Sequence, residues 1–197
     1  NGLPIYNIQD TNTYQGNTTY HYNLVESTTS AFELGSTTTT GVQYYHTLSA
    51  DIVGTTAWGN ATTHSGVVGW AFDGLPIYGP YGYTEYENNG DIKTNTITNI
   101  KSNFVLKEGV RDTSVGGAHT GEFVEDFTFD SSLNGTAGYV GDSNLNGKLN
   151  MRYGKTPESP TTAIRFYVCT QDDSGNPMFP YHVGGNVKVF SNNTKSP

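Results

Sequence analysis

Glycine, asparagine and threonine interrupt this chain so often that almost no window carries apolar residues at the three-and-four spacing of an amphipathic helix. The apolar text that survives comes in short β-branched and aromatic runs, each closed by Gly, Pro, Asn or Asp: 19–22, 67–72, 94–100, 123–129, 163–168 and 186–190. That pattern predicts a mainly β protein: a single domain of antiparallel, sandwich-like sheets with long irregular loops. In 163–168 the alternation is explicit, with Ile164, Phe166 and Val168 on one face and Ala163, Arg165 and Tyr167 on the other, the period of a half-buried strand. A tight reversal is expected at Asp173-Ser174-Gly175, after which Met178-Phe179 resumes the apolar text and Pro180 confines the residues after it to an edge or loop. The one stretch read as a short helix is 104–108, closing at Gly109.

Composition narrows the setting. Ten basic against eighteen acidic residues give a net charge of −8, so nucleic acid is not expected as a partner. Charged residues make up only 14% of the chain, where about 25% is usual, so neutral Asn, Thr, Ser, Gly and Tyr must wet the surface. Cys169 is the only cysteine, which excludes an intrachain disulfide and a thiolate metal cluster within one chain. No apolar run has the length of a membrane span. The low-complexity stretches 35–40 and 191–197 read as surface loops, and neither separates regions of unlike composition, so 1–197 is taken as one domain. A chain opening on Asn1 without a leader pattern is expected to be a segment of a longer protein.

Several motifs fail on inspection. The stretch 141–148 places five residues between its glycines and ends before Leu149, where a phosphate loop needs four and then Ser or Thr. No His-Glu-x-x-His and no Gly-x-Ser-x-Gly occurs. Asp142, Asn144 and Asn146, followed by Gly147, reproduce the first half of a calcium loop, but Tyr153 stands where a bidentate Glu should close it. No cofactor is therefore expected except calcium, which would borrow a carboxylate from Glu125, Asp126 or Glu158.

Five histidines remain, none with the local spacing that pairs two imidazoles. Most are read as hydrogen-bonded structural residues; the alternative is one ion held by His64, Asp73, His119 and His182, giving a metal-dependent hydrolase or oxidoreductase. Tyr78, Tyr81, Tyr83 and Tyr86 crowd a Gly- and Pro-punctuated segment. Aromatic faces beside amides and carboxylates suit a neutral sugar, and core packing is the competing use. Asn-x-Ser/Thr acceptors at Asn17, Asn60, Asn134 and Asn192 are frequent by chance in such a composition and decide nothing.

Two copies of one hexapeptide, Asn1-Gly2-Leu3-Pro4-Ile5-Tyr6 and Asp73-Gly74-Leu75-Pro76-Ile77-Tyr78, join a tight turn to an extended exit, too far apart for a repeat array. The second sits in His64-Ser65-Gly66, then Trp70-Ala71-Phe72-Asp73-Gly74-Leu75-Pro76-Ile77-Tyr78-Gly79-Pro80-Tyr81-Gly82-Tyr83. That text resembles the signature of the YHYH domain family. Gly121-Glu122-Phe123, Leu145-Asn146-Gly147-Lys148, Thr156-Pro157-Glu158-Ser159-Pro160 and Asn176-Pro177-Met178-Phe179-Pro180-Tyr181-His182 agree in order, so the resemblance covers most of 64–185.

Departures are visible: Gly66 replaces the usual Pro, Lys148 stands where Arg is common, and the eponymous tetrapeptide is reduced to Tyr20-His21-Tyr22-Asn23. The resemblance carries no established activity. It implies an origin among marine bacterial surface proteins or, in the more similar subgroup, virion proteins of marine tailed phages. The expected role is a non-enzymatic structural or adhesive module, on a virion or extracellular surface, meeting neighbouring subunits or copies and a surface glycan.

Overall fold

The protein is described by a computed structural model, covering residues 9–13, 15, 19–23, 32–34, 43–45, 55–71, 73–141 and 149–181. The first hexapeptide copy, the loops 35–40 and 191–197, the run 186–190, His46, His182 and the half calcium loop 142–148 lie outside these residues.

At the centre is a four-stranded sheet in the order β11, β12, β6, β5, built from β5 (Val67–Trp70), β6 (Pro76–Tyr78), β11 (Met151–Thr156) and β12 (Ser159–Val168). The β5–β6 and β11–β12 pairs are antiparallel, as expected. The β6–β12 pair joining them is parallel, with Tyr167 opposite Ile77 and Val168 opposite Tyr78.

That join explains the burial. Strands inside a sheet covered on both sides bury both sets of alternating side chains. One face carries Tyr78, Phe166 and Val168 against Tyr86, Ile100 and Val140. The other carries Ile77, Tyr167 and Cys169 against the partly buried Trp58, Leu75 and Met151. The alternation read in 163–168 holds at Ile164, Phe166 and Val168. The opposite face, expected to meet solvent, does so at Arg165 and turns inward at Tyr167, where β12 enters the middle of the sheet.

The remaining described strands form two-stranded antiparallel ribbons. These are β1 (Gln9–Thr13) with β2 (His21–Asn23), β3 (Phe32–Leu34) with β4 (Gln43–Tyr45), β7 (Tyr81–Tyr83) with β8 (Ile97–Asn99), and β9 (Phe104–Leu106) with β10 (Phe127–Phe129). A single helical turn, Thr55–Trp58, precedes β5.

The helix expected over 104–108 is instead β9. Pairing with β10 brings Phe104 edge-on to Phe129 at 5.5 Å and to Phe179 at 5.1 Å, and burial of those rings outweighs a local helical preference. The run 123–129 opens with a 3-10 turn, Val124–Asp126, before becoming β10. The expected reversal after Cys169 is present: Asp172 Oδ1 accepts the Ser174 and Asn176 amides, both at 2.8 Å, and Gly175 takes a φ of +84°. Gly154 of β11 is dictated by packing, because a Cβ there would lie 2.2 Å from the buried Tyr86 ring.

Candidate functional site

The β5–β6 hairpin and the strand after it carry most of the signature text, with Ser65 turned inward and Asp73 exposed. Ser65 is fully buried; its hydroxyl donates to the Trp58 carbonyl and accepts the Tyr81 amide at 2.8 Å, while its own amide donates to the Tyr81 carbonyl at 2.7 Å. Gly59 and Gly79 are required beside it, since a Cβ at either would come within 2.8 Å of Ser65 Oγ. Ser65 therefore ties the helical turn, β5 and β7 together and has no free oxygen to offer as a nucleophile. Asp73, at the exposed tip, accepts the Leu75 amide at 3.1 Å and the Tyr167 hydroxyl at 2.7 Å, a bond reaching from the hairpin to the central strand β12. Burial and then the Asp73 carboxylate push the Tyr167 phenol up, so it remains a donor.

His64 lies one step inside. Its ring stands edge-on to Tyr78 at 5.7 Å and tilted against Tyr83 at 4.9 Å. Nδ1 is 2.7 Å from the Ser65 carbonyl, which accepts only, so Nδ1 carries the hydrogen and Nε2 holds a bare lone pair. Nε2 is buried, with no hydrogen-bond partner among the described residues. Desolvation lowers the His64 pKa, with Arg152 adding to the fall and the Ser65 bond and Glu158 opposing it. Arg152, 1% exposed, crosses from β11 to give Nη1 to the Tyr83 carbonyl at 2.6 Å and Nη2 to the Thr84 carbonyl at 3.0 Å. Tyr78 meets Thr156 at 2.9 Å through its hydroxyl, and burial pushes that phenol up to about 12.

A second polar centre lies at the 3-10 turn before β10. Asp126 is fully buried and accepts from Arg111 Nε at 2.8 Å and Nη2 at 2.7 Å, from His119 Nδ1 at 3.0 Å, and from the amides of Thr120, Gly121 and Phe123. Burial alone would raise its pKa. Arg111, His119 and the backbone N–H groups more than offset that and hold the carboxyl well below the usual range. The Arg111 guanidinium also lies over the Phe123 ring at 4.7 Å, and Tyr20 meets that ring edge-on at 5.6 Å. Next along the turn, Glu125 grips His21 twice, accepting its amide and its Nδ1 at 2.7 Å each.

Several expected sites change on this geometry. Tyr78 and Tyr86, read as sugar contacts, belong to the core at 2% and 7% exposure, because a chain short of Leu and Ile fills its interior with rings. Tyr81 and Tyr83 are half-buried. Of the alternative ion site, His64, Asp73 and His119 each hold a different partner, His182 is outside the described residues, and no group of three or more metal-ligating side chains occurs among the described residues. Of the carboxylates offered to calcium, Asp126 is consumed by Arg111 and Glu125 by His21, and only Glu158 is exposed.

Arg111 and Arg152, the two cations that organise these centres, carried no local signal, since their partners lie 15 and 68 to 69 residues away. Trp70, read as part of a strand-like run and of the signature text, is 68% exposed.

A family model described as YHYH protein matches residues 1–183. No curated protein and no solved structure matches the chain. With 183 of 197 residues covered by that match, the chain belongs to the YHYH protein family.

Proposed function

We propose that this chain is a non-enzymatic structural or adhesive module of a virion appendage or extracellular surface protein, making contact with neighbouring copies or subunits and with a surface glycan. The observation that carries this reading is where the chemistry-bearing groups of the signature are spent. Ser65, Asp73, Tyr78 and Tyr167 serve as ties between elements, and the same is true of Asp126, Glu125, His21 and His119 in the second centre. Among the polar residues that face outward stand four exposed apolar ones: Trp70 at 68% and Val110 at 75% exposure, with Val105 and Leu106 of β9. A surface with few charges, one exposed indole and many neutral amides suits association with protein or sugar.

The test is a Trp70→Ala variant, compared with wild type for self-association by light scattering and for binding on a glycan array. The expected result is weakened association or glycan binding at an unchanged melting temperature. Unaltered behaviour in both assays, or a stoichiometric transition metal in the protein as isolated together with metal-dependent turnover, overturns the proposal.

A further inference from the structure

We propose that His64 is an acid-responsive switch that loosens the junction between the central sheet and the β7–β8 ribbon. The junction is the Arg152 guanidinium, which leaves β11 to hold the carbonyls of Tyr83 and Thr84 at the end of β7. His64 borders the same space: a Cβ on Gly82 would lie 3.5 Å from His64 Nε2 and 3.6 Å from Arg152 Nη1. As a neutral ring, His64 accommodates that cation, because Nδ1–H is satisfied by the Ser65 carbonyl and a bare Nε2 presents no positive charge to the guanidinium.

Protonation changes both conditions. It places an N–H with no acceptor in a buried position, and it sets a second cation beside Arg152, where low polarity strengthens the repulsion. Among the described residues, the titratable and charged groups around the ring are Tyr78 from β6, Tyr83 from β7, Arg152 from β11 and Glu158 from the β11–β12 turn. The phenol of Tyr78 already meets Thr156, so Glu158, exposed at the rim, is the one group of the four that can balance an imidazolium.

Linkage sets the direction. Burial lowers the affinity of the folded state for this proton below that of the unfolded chain, so the stability His64 contributes is present above the ordinary imidazole range. It is lost as pH falls below that range and through the lowered value of the folded state, where the buried ring takes up its proton.

Amide hydrogen exchange, corrected for intrinsic rate and monitored from about pH 7.5 to about pH 5, reads the switch directly. The Thr84 amide, bonded to the Thr96 carbonyl, and the Ile100 amide, bonded to Pro80, are the reporters, with the β9–β10 ribbon as internal control. The expected result is a loss of protection at the reporters about tenfold larger than in the control. Glu158→Gln removes, at an exposed position, the carboxylate that favours the imidazolium and is expected to move the midpoint of that loss to lower pH. His64→Gln is expected to abolish it where the variant folds. A uniform loss across both ribbons, or a midpoint that Glu158→Gln leaves in place or moves upward, overturns the proposal.

Discussion

The centres around Asp126 and His64 use the same residue types to opposite effect. At Asp126 an imidazole and a guanidinium converge on one carboxylate whose two oxygens accept six hydrogen bonds, so every charge brought inside has a partner. At His64 an imidazole and a guanidinium share a space with no buried carboxylate between them among the described residues, and Nε2 of the ring has no hydrogen-bond partner there. Burial penalises an ionised group, and a titratable side chain keeps its charge inside only where opposite charge and hydrogen bonds offset that cost. Otherwise the group gives up its charge, as His64 does. The first arrangement fixes the 3-10 turn and the segment Tyr20-His21 against it; the second leaves a point in the sheet that responds to protons.

Breaking the closed centre should have the largest effect. Asp126→Ala strands a buried guanidinium and is expected to cost about 3–5 kcal/mol in urea unfolding; a loss within about 1 kcal/mol would mean the centre is wetter than its geometry implies. The pH behaviour sharpens the contrast. Because its carboxyl is held far below the usual range, Asp126 contributes stability at all pH values above that of an ordinary carboxylate, and loses it only as pH falls through its own depressed value. The Asp126→Ala penalty should therefore stay constant between about pH 7 and pH 5, the interval in which the His64 contribution fades. A penalty shrinking in step with that contribution would show the two centres to be coupled.

Smaller changes probe the packing that surrounds His64. Gly154→Ala drives a methyl into the Tyr86 ring and is expected to cost about 1–3 kcal/mol by denaturant unfolding. Ser65→Ala, which leaves the Trp58 carbonyl and the Tyr81 amide without their shared hydroxyl, should fall in the same range of about 1–3 kcal/mol. Tyr167→Phe releases a carboxylate that water can reach, so a shift of only about 0.5–1.5 kcal/mol is expected. An effect as large as that of Asp126→Ala would mark Asp73, rather than Asp126, as the acid on which the fold depends.

How much of this could be read in advance depended on the distance over which the cause acts. The strands around Ile164, Phe166 and Val168 and the Asp172–Asn176 reversal are specified by alternation and side-chain-to-amide bonds within a few residues, and both were legible. The strand at Phe104 was not, because its partners Phe129 and Phe179 arrive from elsewhere in the chain. The parallel join of β6 to β12 was equally silent, since nothing near Tyr78 announces that Val168 lies beside it. At the candidate sites, residue type was visible but placement was not: Tyr78, read as a sugar contact or a core ring, is buried in the core with its hydroxyl on Thr156, 78 residues away. For His64 the sequence did not show which ring nitrogen would be occupied: Nδ1 meets the adjacent Ser65 carbonyl, and Nε2 has no hydrogen-bond partner among the described residues.

The claim that unites both centres is that the imidazoles are held through Nδ1 as internal ties. A two-dimensional nitrogen-15 spectrum of the histidine rings at neutral pH tests it most directly. It should show Nδ1 of both His64 and His119 carrying a hydrogen, with His64 Nε2 carrying neither a proton nor a metal. A His64 ring protonated at Nε2, or a resonance displaced by a bound ion, would contradict the account.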